Sequence, residues 1–317
     1  MKTNNFGTSF NYSGANAAIL TTIILFSGIL ILLPQKFSEP AKIAVNLFTL
    51  GIISVIAINA VNFTKRQNIK AIIQSAFVLG FFSVFYGVTS DYQIIFFNWQ
   101  DEKLLALDKV LFGSEVSLLM QNVVCFYLTE AMMFAYVIYV PLFVLVAIVA
   151  YKNGSSKALG EYLFIVSLGF ISCYIISFLF PVASQMYYKP NQYSVSLEGW
   201  LFTYFGELIR TENHFPGGSL PSPHCTASTI MLFVLFKNNR KLFWLMLPVV
   251  ITIYISTVYG RYHYIWDGIA GILLALLLIK IFPFFKSIID KIVIVYHSLI
   301  NPISIFNSLS DNDLLED

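Results

Sequence analysis

The chain has 317 residues, of which 57% are hydrophobic and 11% are charged, and its formal net charge at pH 7 is +2. Soluble domains usually carry about 25% charged residues, so this composition excludes a water-soluble fold and favours a protein that lies in lipid. The small net charge, without any basic run, excludes a nucleic-acid-binding protein, and the three scattered cysteines provide neither a disulfide framework nor a Cys-x-x-Cys metal motif.

Apolar stretches of the length needed to cross a bilayer follow one another along the chain. A membrane helix needs about 20 apolar residues, and such stretches must be helical because lipid cannot satisfy backbone amides. No small-residue cleavage pattern follows the first stretch, so we predict a retained span rather than a signal peptide. We therefore predict an all-α, polytopic membrane helix bundle with about eight transmembrane helices. The predicted spans are 15–34, 43–63, 71–89, 128–150, 160–181, 225–238, 242–260 and 264–284.

Basic residues are concentrated in the connections on one side of this predicted bundle. Clusters of Lys and Arg lie at residues 65–70 and 237–241, and further lysines follow the fourth and eighth spans. By the positive-inside rule this side is cytoplasmic, so we predict that both termini are inside. The two long connections, 90–127 and 182–224, then face the outer side.

The two long connections differ in composition. Residues 90–127 mix acidic with apolar side chains and predict an amphipathic helix at the membrane interface. Residues 182–224 are rich in Pro and Gly, which predicts a loop of constrained backbone, and long structured loops are usually functional. The segment from residue 286 to about residue 303 predicts a second interfacial helix.

Two segments carry residues suited to phosphoryl chemistry. Residues 217–224 read GGSLPSPH and lead into the sixth span, where backbone amides and glycines favour the binding of an anion. His263 and Asp267 are four residues apart, so on a helix they share one face. A carboxylate at this spacing holds the imidazole in one tautomer and stabilises its cation, as a histidine nucleophile or base requires.

The order of the spans brings these two segments together. Between His224 and His263 lie two apolar spans joined by the basic hairpin at 237–241. The chain therefore crosses the membrane and returns, so both histidines are predicted at the outer ends of neighbouring antiparallel helices.

The same segments resemble a known family. Residues 221–224 (PSPH) resemble the second motif of the type-2 phosphatidic acid phosphatase superfamily, and residues 259–268 (YGRYHYIWDG) resemble its third motif, with the His-x-x-x-Asp spacing intact. The chain is most similar to the inositol phosphorylceramide synthase-like (inositolphosphotransferase) branch, in which an arginine commonly lies two residues before the third-motif histidine, as Arg261 does here. Residues 101–113 also resemble the interfacial segment of that branch. The resemblance covers roughly residues 100–275.

The resemblance implies a metal-independent phosphatase or phosphotransferase without a cofactor. His263 would attack phosphorus in line and form a phosphohistidine, and Asp267 would orient His263. His224 would protonate the leaving oxygen and then activate the acceptor. Water as acceptor gives hydrolysis and an alcohol gives headgroup transfer, and the sequence leaves both open.

The resemblance also implies a set of phosphate ligands. Ser222, Arg261 and the backbone amides near Gly217 and Gly218 would hold the phosphoryl oxygens. The first motif, a Lys separated from an Arg-Pro pair, is absent in its standard form, and Lys189 is the one cation in the corresponding region. The third motif also lacks its usual arginine, whose charge Arg261 would replace.

The implied substrate is a lipid phosphate or a phospholipid headgroup, reached from the bilayer at the periplasmic or lumenal face. The implied fold is a six-helix phosphatase-like core within the larger bundle. The chain then divides into N-terminal transmembrane helices at 1–70, a phosphatidic acid phosphatase-like catalytic core at 71–285, and an interfacial helix with an acidic tail at 286–317.

Two other classes of function compete with an enzyme. A transporter or channel would place ionisable residues midway through its spans, whereas the predicted spans are nearly free of charge. A non-catalytic membrane protein of the same fold would have no physical reason to keep these histidines at these spacings. We predict that His214 is a packing residue, and that Cys225 packs rather than binds a metal, because recognised zinc spacings are absent.

Overall fold

The structure, a computed structural model, describes residues 12–300. For residues 212–213 and 293–300 it describes the backbone without the side chains. All regular elements in this range are helical, which confirms the predicted all-α class. The predicted acidic tail lies outside the described residues. The α-helices are α1 (Ser13–Leu32), α2 (Pro40–Phe63), α3 (Gln67–Thr89), α4 (Asp101–Phe112), α5 (Val116–Met120), α6 (Phe126–Val137), α7 (Tyr139–Val149), α8 (Ser156–Leu179), α9 (Gln185–Tyr188), α10 (Leu201–Asn213), α11 (Pro223–Asn238), α12 (Arg240–Tyr259) and α13 (Ile265–Ile300).

Most of the predicted spans coincide with long apolar helices. Within residues 12–300, α1, α2, α3, α8, α12 and α13 are long and apolar enough to cross a membrane. The fourth predicted span is a pair, α6 and α7, bent by 42° at its break. The sixth is α11, whose 16 residues extend about 24 Å at 1.5 Å per residue, less than the hydrocarbon core of a bilayer.

The short helix α11 lies inside the bundle rather than at its surface. It packs against α7, α8, α12 and α13, and most of its residues are buried. Its small polar side chains are therefore covered by other helices: Thr226 donates a hydrogen bond to the carbonyl of Gly271 in α13, over 3.1 Å. Close packing through small residues is what holds helices together in lipid.

Gly271 sets the distance between α11 and α13. A Cβ atom at this position would lie 2.6 Å from the carbonyl oxygen of Ser222 and 3.0 Å from Oγ1 of Thr226. Both are contacts that the beginning of α11 cannot avoid without moving, because Ser222 immediately precedes this helix.

We expect Gly271→Ala to lower the free energy of unfolding by about 1–3 kcal/mol, because it overpacks this contact. Gly80→Ala in α3 is the matched control, since a Cβ there would meet nothing within 4 Å and alanine is the better helix former. Thermal unfolding in detergent measures both. Equal midpoints for the two variants would contradict the packing role of Gly271.

The connection at 182–224 differs from the prediction, because it contains α9 and α10 in addition to loop. Its prolines lie outside residues 201–213, so nothing prevents a helix there. The carboxylate of Glu130 in α6 accepts hydrogen bonds from the backbone N–H groups of Trp200, Phe202 and Thr203, at 2.6–3.1 Å. It therefore caps the N-terminus of α10 from a neighbouring helix.

The end of α13 also differs from the prediction. In place of a separate interfacial helix from residue 286, α13 continues to Ile300. The charged residues at this point support the continuation, since Lys286 pairs with Asp290 one turn later at 3.1 Å and lies 3.7 Å from Glu161 of α8. In the other long connection, the predicted helix is present as α4, followed by the short α5.

Candidate active site

Asp267 lies in the first turn of α13 and organises the site. Its Oδ2 accepts a hydrogen bond from the backbone N–H of Tyr264 at 2.9 Å, the reciprocal bond of a capping box at the start of a helix. The same oxygen lies 3.3 Å from Nδ1 of His263. Asp267 is completely buried and His263 is 4% exposed. The local start of α13 therefore aligns the imidazole and the carboxylate.

Ser219 completes this arrangement from the other segment. Its Oγ donates to Oδ2 of Asp267 at 2.6 Å and lies 3.1 Å from Nδ1 of His263. Ser219 belongs to the turn-rich segment at residues 217–224, but the sequence predicts no role for it. The contact exists only because the turn folds back onto the start of α13.

His224 lies on the first turn of α11, beside His263. The two ring centroids are 5.8 Å apart, and the rings of Tyr136 and Tyr139 pack on His224 at 4.8 and 4.7 Å. Nδ1 of His224 is buried and has no hydrogen-bond partner among the described residues. The structure thus brings the two predicted histidines together at adjacent helix ends.

Ser222 connects the two helix ends. Its backbone N–H donates to the carbonyl of Asp267 at 2.9 Å, and its Oγ accepts from the N–H of Cys225 at 3.4 Å as the N-cap of α11. Ser222 is fully buried, and its hydroxyl oxygen is engaged in the helix cap. The cap holds His224 in a fixed position relative to Asp267.

The two predicted cationic phosphate ligands contact protein groups. Arg261, whose φ is +65°, donates to the carbonyl of Val195 and stacks on the ring of Tyr193 at 3.9 Å. Lys189 lies 3.7 Å from the carboxylate of Glu115. Both side chains are therefore directed towards the two long connections, 90–127 and 182–224.

The amides of Gly217 and Gly218 also have protein acceptors. The N–H of Gly217 points to the carbonyl of Ala183 at 3.4 Å, and that of Gly218 donates to Oε1 of Gln93 at 2.8 Å. Both glycines have positive φ, and a Cβ on Gly217 would lie 2.4 Å from Gln93. Glycine is required here because the turn packs directly on that side chain.

Two buried carboxylates of α4 support the segment that carries His263. Asp101 accepts hydrogen bonds from the hydroxyl of Tyr264 and the backbone N–H of Ala183, both at 2.9 Å. Asp108 accepts from the indole N–H of Trp266 at 2.7 Å. The sequence predicted α4 at the interface but did not connect these carboxylates with the site.

Burial raises the pKa of Asp101 to about 6, from an ordinary value of 3.8. The native state therefore binds a proton at a higher pH than the unfolded chain does, so Asp101 contributes more stability as the pH falls through 6 towards 4. We expect the unfolding midpoint of the wild type, relative to Asp101→Asn, to rise between about pH 7 and pH 5. Thermal unfolding of both proteins across this range measures the difference, and a difference independent of pH would contradict the assignment.

His214 lies against the aromatic residues that cover the site. Its Nε2 is 3.0 Å from the hydroxyl of Tyr136, and its ring is 5.2 Å from that of Tyr262. Burial, and to a smaller extent the neighbouring His263, lowers the pKa of His214 to about 4. At neutral pH it is therefore an uncharged, hydrogen-bonded residue beside the two other histidines.

Among the described side chains, no group of three or more His, Cys, Asp or Glu residues is placed to hold a metal ion. Cys225 is buried at the contact between α11 and α13, where its Sγ would lie 3.4 Å from a Cβ on Gly268.

Comparison with known proteins identifies one family. A family model described as the PAP2 superfamily matches residues 103–281, which are more than half of the chain. This range contains Ser219, His224, His263 and Asp267. Neither a curated protein nor a solved structure matches the chain significantly.

Proposed function

The chain belongs to the PAP2 superfamily, whose members are generally phosphatases, and on this premise we propose that it transfers the phosphoryl group of a lipid phosphate or phospholipid headgroup through a phosphohistidine. The observation that carries the proposal is the arrangement of His263, Asp267 and Ser219, with the ring of His224 5.8 Å from that of His263.

In the first step His263 acts as the nucleophile. Because its Nδ1 faces Asp267 and Ser219, the proton lies on Nδ1 and the lone pair of Nε2 is available to attack phosphorus. A bond from Nε2 to phosphorus forms as the bond from phosphorus to the leaving oxygen breaks, and His224 gives that oxygen its proton. The carboxylate of Asp267 stabilises the charge on the imidazole.

In the second step an acceptor oxygen attacks the phosphohistidine. His224 takes the proton of this water or alcohol, the bond from phosphorus to Nε2 breaks, and free His263 is restored. Water gives inorganic phosphate and an alcohol gives a new headgroup ester. The similarity of the motifs to the inositolphosphotransferase branch favours transfer.

Phosphate binding requires local rearrangement around the histidines. Arg261 would have to leave the carbonyl of Val195 to form the paired hydrogen bonds that a guanidinium makes with phosphoryl oxygens. The amides of Gly217 and Gly218 would likewise exchange Ala183 and Gln93 for the substrate. We propose that Ser222 positions these groups as the cap of α11, and that Lys189 adds positive charge at the outer edge.

The proposed location follows the charge distribution of the connections. Both termini would lie in the cytoplasm, and the histidines would face the periplasm or lumen, close to the lipid headgroups. The substrate would keep its acyl chains in the bilayer while its phosphate reaches His263. No metal is required for this chemistry, since His263 supplies the nucleophile and His224 moves the proton.

The test is an assay of the purified full-length protein in detergent with EDTA present, over a panel of lipid phosphates and phospholipids. We expect turnover that EDTA does not abolish. Inorganic phosphate as product identifies a phosphatase, and a new headgroup ester identifies a transferase. Turnover that disappears with EDTA and returns with a divalent cation would overturn the metal-independent mechanism, and no turnover of any substrate would overturn the proposed activity.

A further inference from the structure

Helix α10 presents a continuous apolar face to the outside of the protein. Trp200, just before the helix, and Leu201, Tyr204, Phe205 and Leu208 are 41–78% exposed. The last four lie one, four, five and eight residues after Trp200, which places all five along one side of a helix. We call these five residues the α10 stripe.

The opposite side of α10 packs on the residues next to the catalytic histidines. Phe202 and Ile209 contact a buried cluster formed by Met133, Tyr136 and Tyr262. Tyr262 immediately precedes His263, and the ring of Tyr136 stacks on Tyr262 at 4.5 Å and packs at a tilt on His224 at 4.8 Å. The helix therefore separates the α10 stripe from the site by one layer of side chains.

The position of α10 is set by a helix that enters the membrane. Glu130, which caps α10, belongs to α6, one half of the bent pair that can cross a bilayer. The hydroxyl of its neighbour Thr129 lies 2.7 Å from the hydroxyl of Tyr259, the last residue of α12. The α10 stripe is thus at the end of the bundle where α12 ends and α13 begins, which is the level of a membrane interface.

The chemistry of the α10 stripe suits lipid better than a protein partner. Trp and Tyr are enriched where acyl chains meet headgroups, because their rings are apolar and carry one polar group. Glu207 and Arg210 of the helix pair with each other at 2.5 Å, so the formal charge of α10 is only that of Glu212 near its end. A helix that packs on the protein with one side and exposes an apolar side carrying Trp and Tyr is suited to lie at this boundary.

We propose that α10 is an interfacial anchor: the α10 stripe lies in the boundary between headgroups and acyl chains of the leaflet that the histidines face. The anchor keeps Tyr136 and Tyr262, and with them the two histidines, at a fixed short distance from the lipid surface from which a lipid substrate would enter. The membrane contact itself does not depend on the proposed reaction.

Depth-dependent quenching tests the membrane contact. Cys125 is exposed while Cys173 and Cys225 are buried, so Cys125→Ser gives a background in which Tyr204→Cys can be labelled selectively with an environment-sensitive fluorophore. In phosphatidylcholine vesicles we expect bromines near the carbonyl end of the acyl chain to quench this label more strongly than bromines deep in the chain. Ile52→Cys, exposed on the middle of α2, is the matched control and should show the reverse order.

Two results would overturn the anchor. Quenching of the Tyr204 label by aqueous iodide but by neither brominated lipid would show that the α10 stripe faces water. Protection from both quenchers, with energy transfer between labels that rises with the ratio of protein to lipid, would show that a second copy of the chain covers it.

A second experiment compares the turnover of two substrates by the variant Tyr204→Glu. We expect KM for a long-chain lipid phosphate in vesicles to rise about 10-fold, because the introduced carboxylate opposes contact of α10 with lipid. Turnover of a short-chain, water-soluble lipid phosphate should change less than about 2-fold, because that substrate reaches the site without the lipid surface. An equal loss on both substrates would assign α10 a purely structural role. If the wild type turns over neither substrate, the proposed function fails, and the quenching measurement still decides the anchor.

Discussion

Replacing His263 by alanine should lower kcat by at least about 10³-fold, the largest effect that we expect from any single substitution in this chain. Alanine removes the nucleophile, so the two-step reaction through a phosphohistidine becomes impossible. Water would have to attack the substrate directly, without a covalent intermediate. The measurement is the rate of phosphate release or headgroup transfer in detergent, with EDTA present and with substrate well above KM.

His297→Ala is the control for this substitution. It removes a histidine near the C-terminal end of α13, whereas His263 lies just before the N-terminal end, and it should keep turnover within about 2-fold of the wild type, the usual consequence of a substitution far from a site. Elution and thermal unfolding of both variants should match the wild type, so that lost turnover reports chemistry. Turnover that persists in His263→Ala would remove His263 from the role of nucleophile.

Asp267→Asn should lower kcat by about 10²–10⁴-fold and leave KM nearly unchanged, because the amide disturbs the tautomer of His263 rather than substrate binding. In the wild type, Oδ2 accepts from Ser219 and from the backbone of Tyr264 and also faces Nδ1 of His263. An amide nitrogen at this position would confront donors, and an amide oxygen would lack the negative charge that stabilises the imidazolium. Steady-state kinetics of the variant measures both parameters.

Two comparisons make this prediction specific. In His263→Ala, adding Asp267→Asn should cause little further loss, since the carboxylate acts through the imidazole and residues that act as a unit are not additive. Ser219→Ala should cost less than Asp267→Asn, because it removes one hydrogen bond and retains the carboxylate. The control is Asp91→Asn, an exposed carboxylate beyond the end of α3, which should behave as the wild type. A large increase in KM with kcat unchanged would indicate instead that Asp267 serves substrate binding.

The sequence alone determined that the protein lies in lipid and that His263 and Asp267 come together. A composition with 57% hydrophobic and 11% charged residues requires lipid whatever the fold, and in lipid long apolar runs must be helical. The spacing of four residues predicted that His263 and Asp267 meet on one helix face. They do meet, but His263 lies in the turn before α13, and the contact is made because Asp267 caps that helix. His224 could be placed beside them because the number of membrane crossings decides on which side of the bundle a residue lies.

Contacts between distant segments were decided by tertiary structure alone. Ser219 reaches Asp267 across 48 residues of sequence, and Asp101 reaches Tyr264 across 163, and no local pattern encodes either approach. The cap that Glu130 provides for α10 depends in the same way on how α6 packs, which is why the connection at 182–224 was predicted as a loop. The contacts of Arg261 with the carbonyl of Val195 and of Lys189 with Glu115 likewise join segments that are distant in sequence.

The physical reason is the range of the interactions. Hydrophobicity, helix periodicity and the crossing of a bilayer act on each stretch of chain separately, so they can be evaluated from neighbouring residues. A hydrogen bond between two side chains depends on ångström-scale positions of helices that are set by the packing of all the others, as the contact of Gly271 with Ser222 illustrates. Composition and spacing therefore determined that this chain is a helical membrane protein in which His263 and Asp267 lie close together, and packing decided how they meet and which further side chains surround them.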